Sequence, residues 1–271
     1  MCWLTRGLCW LPLFLWTWSS CSFLVSYLVS VLRHDVDVIF PYISDTAAKP
    51  PESCIFGLMT VVSAFAVTCL EKSDQEATEK RIATIYARYK YVDKLNEGTI
   101  VVHPQLNSTA FWLGMISCLG MCIVATFQEF AVNVVHLIGA GLFFISGVLY
   151  VILQSYISYK AHPLGSSRRV CWTRAGIASL ATLAFFPTVV CACLIKQDAI
   201  HVDPKDKDYP LHMASAACEW IVTFSFIFFF LTFIDDFKLF TLRVVSECGD
   251  GPSAYAPVSR QQQENPSAVH L

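Results

Sequence analysis

"HMASAACEWIVTFSFIFFFLTFI", His212 to Ile234, decides the class of fold. Its 23 residues contain two side chains that can carry charge, His212 and Glu219. A bilayer core about 30 Å thick takes about 20 apolar residues of helix to cross. The run therefore reads as a membrane span rather than a core helix of a water-soluble domain. Its polar members are regularly placed. His212, Ser215, Glu219 and Thr223 follow at intervals of 3, 4 and 4. At 100° per residue they share one stripe about 80° wide.

Working outward, five similar runs appear: 8–32, 54–70, 109–127, 134–158 and 173–195. The expected fold is all-α, a polytopic membrane protein with six transmembrane helices over residues 1–243. Residues 244–271 form a polar tail read as disordered and cytosolic. Composition agrees: 55% of the 271 residues are hydrophobic and 15% charged, where a soluble domain carries about 25% charged. The net charge of -2 gives no reason to expect nucleic acid as a partner. Most of the 12 cysteines fall inside apolar runs, where cysteine behaves as a small hydrophobe. No CxxC pair with matching histidines suggests zinc, and no cofactor or metal is expected. Arg6 and the serines near Ser20 give the first run some look of a signal peptide. Its apolar stretch is longer than such segments have, so it is read as an uncleaved helix.

Lysine and arginine counts set the orientation. The amino terminus, 71–108, 159–174 and the tail hold 14; the opposite connections hold 5. Both termini are then expected in the cytosol, with 33–53 and 196–210 on the lumenal side. The sequon at Asn107 would lie on the cytosolic side and stay unused, which makes it a test of orientation. The second run is odd. It is short, and "EKSDQEATEKR" (Glu71–Arg81) follows with seven charged residues in eleven. "IATIYA" (Ile82–Ala87) is then apolar again. Without the charged eleven, the two apolar parts would join into one span of 23 residues. The plainer reading is a cytosolic extension of the second span; the sharper one is an insertion that splits a span.

"FPYISDTAAKPPESCIFG" (Phe40–Gly57), "ATIYARYK" (Ala83–Lys90), "SCLGMCIVATFQE" (Ser117–Glu129), "LQSYISYK" (Leu153–Lys160) and "CEWIVTFSFIFFFLTFIDDF" (Cys218–Phe237) occur in this order. Together they resemble the DNA-damage-regulated autophagy modulator family from about Trp3 to Arg243. The Glu71–Arg81 insert and the long tail depart from the family pattern. The resemblance implies a six-span protein of lysosomes and related endosomal membranes that promotes autophagy and stress-linked cell death. It also implies kinship with proteins of glycolipid-anchor processing and phosphoinositide regulation, and no catalytic residues.

Several residues are candidates for function beside that resemblance. Glu219 lies about 10 Å into its helix and should face the bundle rather than lipid. His136 and Glu129 sit at the same side of the neighbouring spans, so Glu219, His212, His136 and Glu129 form a candidate intramembrane polar cluster. Proton sensing, headgroup binding, or a plain contact that sets helix register are its open readings. Ser44, Asp45, Pro50 and Pro51 shape a stiff lumenal loop, either a cap over the first two spans or a recognition surface. Ser19, Ser22, Ser26 and Ser30 let another helix approach closely. The phenylalanine run Phe224–Phe233 reads as lipid-facing surface. In the tail, "YAPV" offers Tyr255 and Val258 as a sorting motif for clathrin adaptors, and Cys248 as a palmitoylation candidate. The expected partners are membrane lipids, those adaptors and unidentified lysosomal membrane proteins. A transporter or channel, or a lipid-modifying protein, is the alternative to a non-catalytic regulator.

Overall fold

The computed structural model describes residues 9–68, 84–98, 100–195 and 200–238, and all their regular structure is helical. The helices are α1 (Trp10–Leu32), α2 (Glu52–Thr68), α3 (Thr84–Leu95), α4 (Pro104–Thr126), α5 (Asn133–Ala161), α6 (Arg168–Leu194), α7 (Tyr209–Leu231) and α8 (Ile234–Phe237). A single 3-10 turn, Asp45–Ala47, interrupts the α1–α2 connection. Five helices, α1, α4, α5, α6 and the α7–α8 stretch, are long and apolar enough to cross a membrane; α2 is apolar but shorter. The charged insert 71–81 and the tail 244–271, with Tyr255 and Val258, lie outside the described residues.

The bundle is apolar outside, and inside it small and polar residues pack beside large apolar ones, a pattern expected of helices solvated by lipid. Leu28, Trp112, Ile138, Leu183 and Phe186 are exposed, while all four serines of the α1 stripe are buried. Ser19 Oγ donates to Ser63 Oγ of α2 at 2.9 Å. That stripe is a packing seam, as its spacing suggested. Glycine does the same between α4 and α5. A Cβ on Gly120 would sit 2.6 Å from the Gly139 carbonyl oxygen, so the two backbones meet only because neither residue has a side chain.

The phenylalanine run departs from expectation. Phe226, Phe229 and Phe233 are buried and only Phe228 is clearly exposed. The reason is position: α7 packs along both α1 and α6, so most of its circumference faces protein. Its rings meet edge to face, as Phe229 does with Phe233 at 5.7 Å.

α1 ends where His34 turns into the left-handed region (φ 60°) and its amide donates to Val31 O. The connection that follows is no free-standing hairpin but folds inward over the bundle end. Tyr27 Oη donates to Val38 O and Trp220 Nε1 to Pro41 O. Beside it, Lys49 and Arg33 flank Asp35 and hold its carboxyl below the usual carboxylate range. The 200–208 segment joins the same end: His201 Nδ1 lies 2.9 Å from Asp37 Oδ1, and Val202 N donates to Asp37 Oδ2.

α2 and α3 lie one after the other along α4. Gly57 abuts the Ala125 carbonyl, and Ile85 abuts Gly114 near the middle of α4. Asn107 Nδ2 then donates to Tyr89 O at 3.0 Å. This last bond revises the reading of the sequon. Asn107 is 3% exposed in the first turn of α4. A buried, hydrogen-bonded amide is inaccessible in the folded chain on either side of a membrane, so an empty Asn107 does not report orientation.

Candidate functional site

One cavity gathers most of the polar residues singled out in the sequence. It measures about 440 Å³ and lies at the bundle end covered by the α1–α2 connection. Glu219 and His212 of α7, His136 of α5, Glu129 of the α4–α5 turn, and Ser44 and Asp45 of the connection all line it. Pro50 and Pro51 do not; they are exposed and lead into α2, where Pro51 O accepts from Cys54 N and Ile55 N. The loop therefore splits into a face turned into the cavity and a stiff entry to a helix.

Each side chain is placed by local structure. The α7 stripe points inward as its spacing required: Ser215 is fully buried, Glu219 9% exposed and His212 7%. Ser215 Oγ donates to Thr188 O at 2.8 Å. That carbonyl belongs to the turn after Pro187, which has no N–H of its own to donate to the α6 ladder. Glu219 Oε2 accepts the Ile43 amide at 2.9 Å. One carboxylate of α7 thus latches the inward loop, a bond between residues 176 apart in sequence. Tyr42 stands edge-on to His212, centroids 4.7 Å apart. Burial pushes the Tyr42 phenol well above the usual range, so it stays protonated.

His136 has a definite polarity. Its Nδ1 is 2.7 Å from the Phe127 carbonyl oxygen, so Nδ1 must carry the proton. Nε2 then faces Glu129 Oε2 at 3.8 Å. In the neutral ring that nitrogen presents a lone pair to the carboxylate; in the cation it presents a proton. The pair gains attraction only when the ring is protonated. Among the described residues, lysine and arginine are missing from the lining, which holds three acidic side chains, Asp45, Glu129 and Glu219.

The sequence reading missed Tyr42, because the inward fold of its loop is not written in apolar periodicity. It also missed a second polar centre at the other end of the bundle. There Arg88 of α3 and Arg174 of α6, both 0% exposed, converge on Asp236 of α8 at 2.8 and 2.5 Å. Gln154, Ser158, Ser166 and Thr232 complete the hydrogen bonds. Among the described residues no three His, Cys, Asp or Glu side chains could hold a metal ion, and nine cysteines are free thiols.

The architecture defines a polytopic helical membrane protein with an acidic cavity at one end and a buried guanidinium centre at the other. Residues 7–240 match the family model described as Frag1/DRAM/Sfk1/Cwh43P N-terminal domain, and the chain belongs to that family. It is 46% identical over 245 residues to DNA damage-regulated autophagy modulator protein 1 of Mus musculus, covering 90% of this chain and 97% of that one. Against the Homo sapiens protein of the same name it is 46% identical, covering 89% and 96%. DNA damage-regulated autophagy modulator protein 2 of Rattus norvegicus is 37% identical, covering 90% and 89%. No solved structure matches the chain.

Proposed function

We propose that this protein promotes autophagy, and with it stress-linked cell death, as a non-catalytic regulator in lysosomal and endosomal membranes. The names of its relatives support the autophagy assignment. The six-span arrangement carries both termini in the cytosol, with α2 and α3 as two parts of one span, and the cavity faces the lumen. The observation that carries the regulatory reading is the Glu219–Ile43 bond. It couples the contents of a lumenal cavity to the seating of a loop and, through α7, to the far end of the bundle. A transporter reading has less support: beyond Glu219, the large side chains of Phe226, Phe229 and Phe233 on the same helix are buried.

The experiment compares Glu219→Gln with Glu219→Leu in cells lacking the native protein. Gln can still accept the Ile43 amide, and Leu cannot. Gln should keep normal abundance but lower autophagic flux, because it can neither take up nor release a proton. Leu orphans a buried amide, a cost of about 1–3 kcal/mol, and should lower abundance as well. Full flux at normal abundance for the Leu variant would end the proposal.

Orientation has its own test. A Lys205→Asn, Lys207→Thr double variant places a sequon on the exposed 200–208 segment. It should acquire an endoglycosidase-sensitive glycan if that end is lumenal; a glycan on a sequon placed in the tail would reverse the assignment.

A further inference from the structure

We infer that the cavity is a binding site for a single-chain lipid with a protonated amine headgroup. This deepens the proposal above by naming the ligand class of the same cavity. Three features point there together. Among the described residues, the polar end has Asp45, Glu129 and Glu219, with neither lysine nor arginine in the lining. A cationic head is therefore the charge that complements it, and a carboxylate or phosphate head would be repelled.

The remainder of the cavity is apolar and runs between α5 and α6. Leu137, Ala140, Phe144 and Ile145 form one wall, Phe185, Val189 and Ala192 the other. From Asn133 at the acidic end to Ile145 is twelve residues of α5, about 18 Å. That is a slot for an extended chain rather than for a compact solute. Its volume of about 440 Å³ is in the lower half of the range for ligand pockets, which suits one chain better than two.

The slot also opens sideways. Leu137, Ile145 and Val189 line it and are at the same time exposed, 56%, 54% and 42%. A lipid can enter from the bilayer with its head leading toward the acids. Gly141 sits in the wall with open space before it: a Cβ there would meet nothing within 4 Å. The hollow is thus not filled by a neighbouring side chain.

The test uses the purified full chain in phosphatidylcholine nanodiscs. Hexadecylamine with a diazirine in its chain is cross-linked by light, with the matching diazirine hexadecanoic acid as comparison. The amine should label peptides covering 137–145 and 188–193, in competition with unlabelled hexadecylamine, and the acid should label them far less. Asp45→Asn and Glu129→Gln should each weaken amine labelling about tenfold, the loss of one charge-assisted bond. Gly141→Trp should abolish labelling of the slot while the melting temperature is kept, since the new ring enters open space. Equal labelling by amine and acid would overturn the headgroup assignment. Unchanged slot labelling in a folded Gly141→Trp variant would overturn the site. Binding is read on purified protein and flux in cells, so failure of one leaves the other standing on its own result.

Discussion

Asp236→Asn should lower the melting temperature in detergent by about 6–20 °C and strip most of the protein from cells. Among the described residues, Asp236 is the sole carboxylate between two buried guanidinium groups. Oδ2 receives Arg88 Nη1 and Arg174 Nη2, and Oδ1 receives Ser166 Oγ at 3.1 Å. All three charged side chains are 2% exposed or less. Even the native centre has one cation in excess. Phe233 offsets part of it, since both guanidinium carbons lie near its ring, at 5.3 and 4.8 Å from the centroid. Taking the carboxylate away leaves two like charges with no counterion. Breaking a buried pair in this way costs about 3–5 kcal/mol, and a chain of this size loses about 2–4 °C per kcal/mol. Arg88→Met makes the control. It removes the surplus cation, keeps much of the side-chain volume, and leaves Arg174 paired with Asp236. Its cost should be clearly smaller than that of Asp236→Asn. If the order is reversed, charge balance is not what holds α3, α6 and α8 together.

That centre was invisible in the sequence for a physical reason. Arg88 and Arg174 were counted as loop cations because they stand at the ends of apolar runs, beside other basic residues. Nothing local marks a guanidinium as buried; burial depends on Asp236, 148 residues away from Arg88. Leaving both arginines out of the count makes it 12 against 5, so the orientation argument keeps its sign. The long apolar helices were readable because apolar length alone defines them. The inward stripe of α7 was readable because Glu219 cannot face lipid cheaply. The phenylalanines of the same helix misled because phenylalanine suits lipid and protein equally well, and only neighbour count decides between them. Ser44 and Asp45 were found through turn chemistry, but that same chemistry could not separate them from Pro50 and Pro51. The separation comes from the Glu219–Ile43 latch, which is a tertiary fact.

Deleting Glu71–Arg81 should convert α2 and α3 into one continuous helix, retain membrane insertion and compartment, and raise the melting temperature by about 2–4 °C or more. Contacts along α4 supply the argument. Gly57 lies at Ala125 and Tyr89 at Asn107. Between these anchors α4 uses 18 residue steps, about 27 Å of helix, while the α2–α3 side uses 32. The surplus is 14 steps, and the charged segment accounts for 11 of them. Counting 11 residues from Gly57 reaches Thr68, the last residue of α2; counting 11 back from Ala125 reaches Gly114, which Ile85 touches. α2 therefore ends at the level where α3 begins. Facing agrees as well. After the deletion, Phe56, Ser63, Ile85 and Val92, all buried, stand 7, 11 and 7 residues apart. At 100° per residue these intervals each close to within about 20° of a whole turn, so the four stay on one buried stripe. One continuous helix has no carbonyl or amide ends in its middle, whereas two separate helices have four of each to satisfy there. Unsatisfied backbone groups are most costly at membrane depth, so the gain is expected to exceed about 1 kcal/mol. Thermal unfolding of the purified variant beside the parent measures it. A deletion variant that fails to insert, or melts below the parent, would show instead that the charged segment is itself part of the fold.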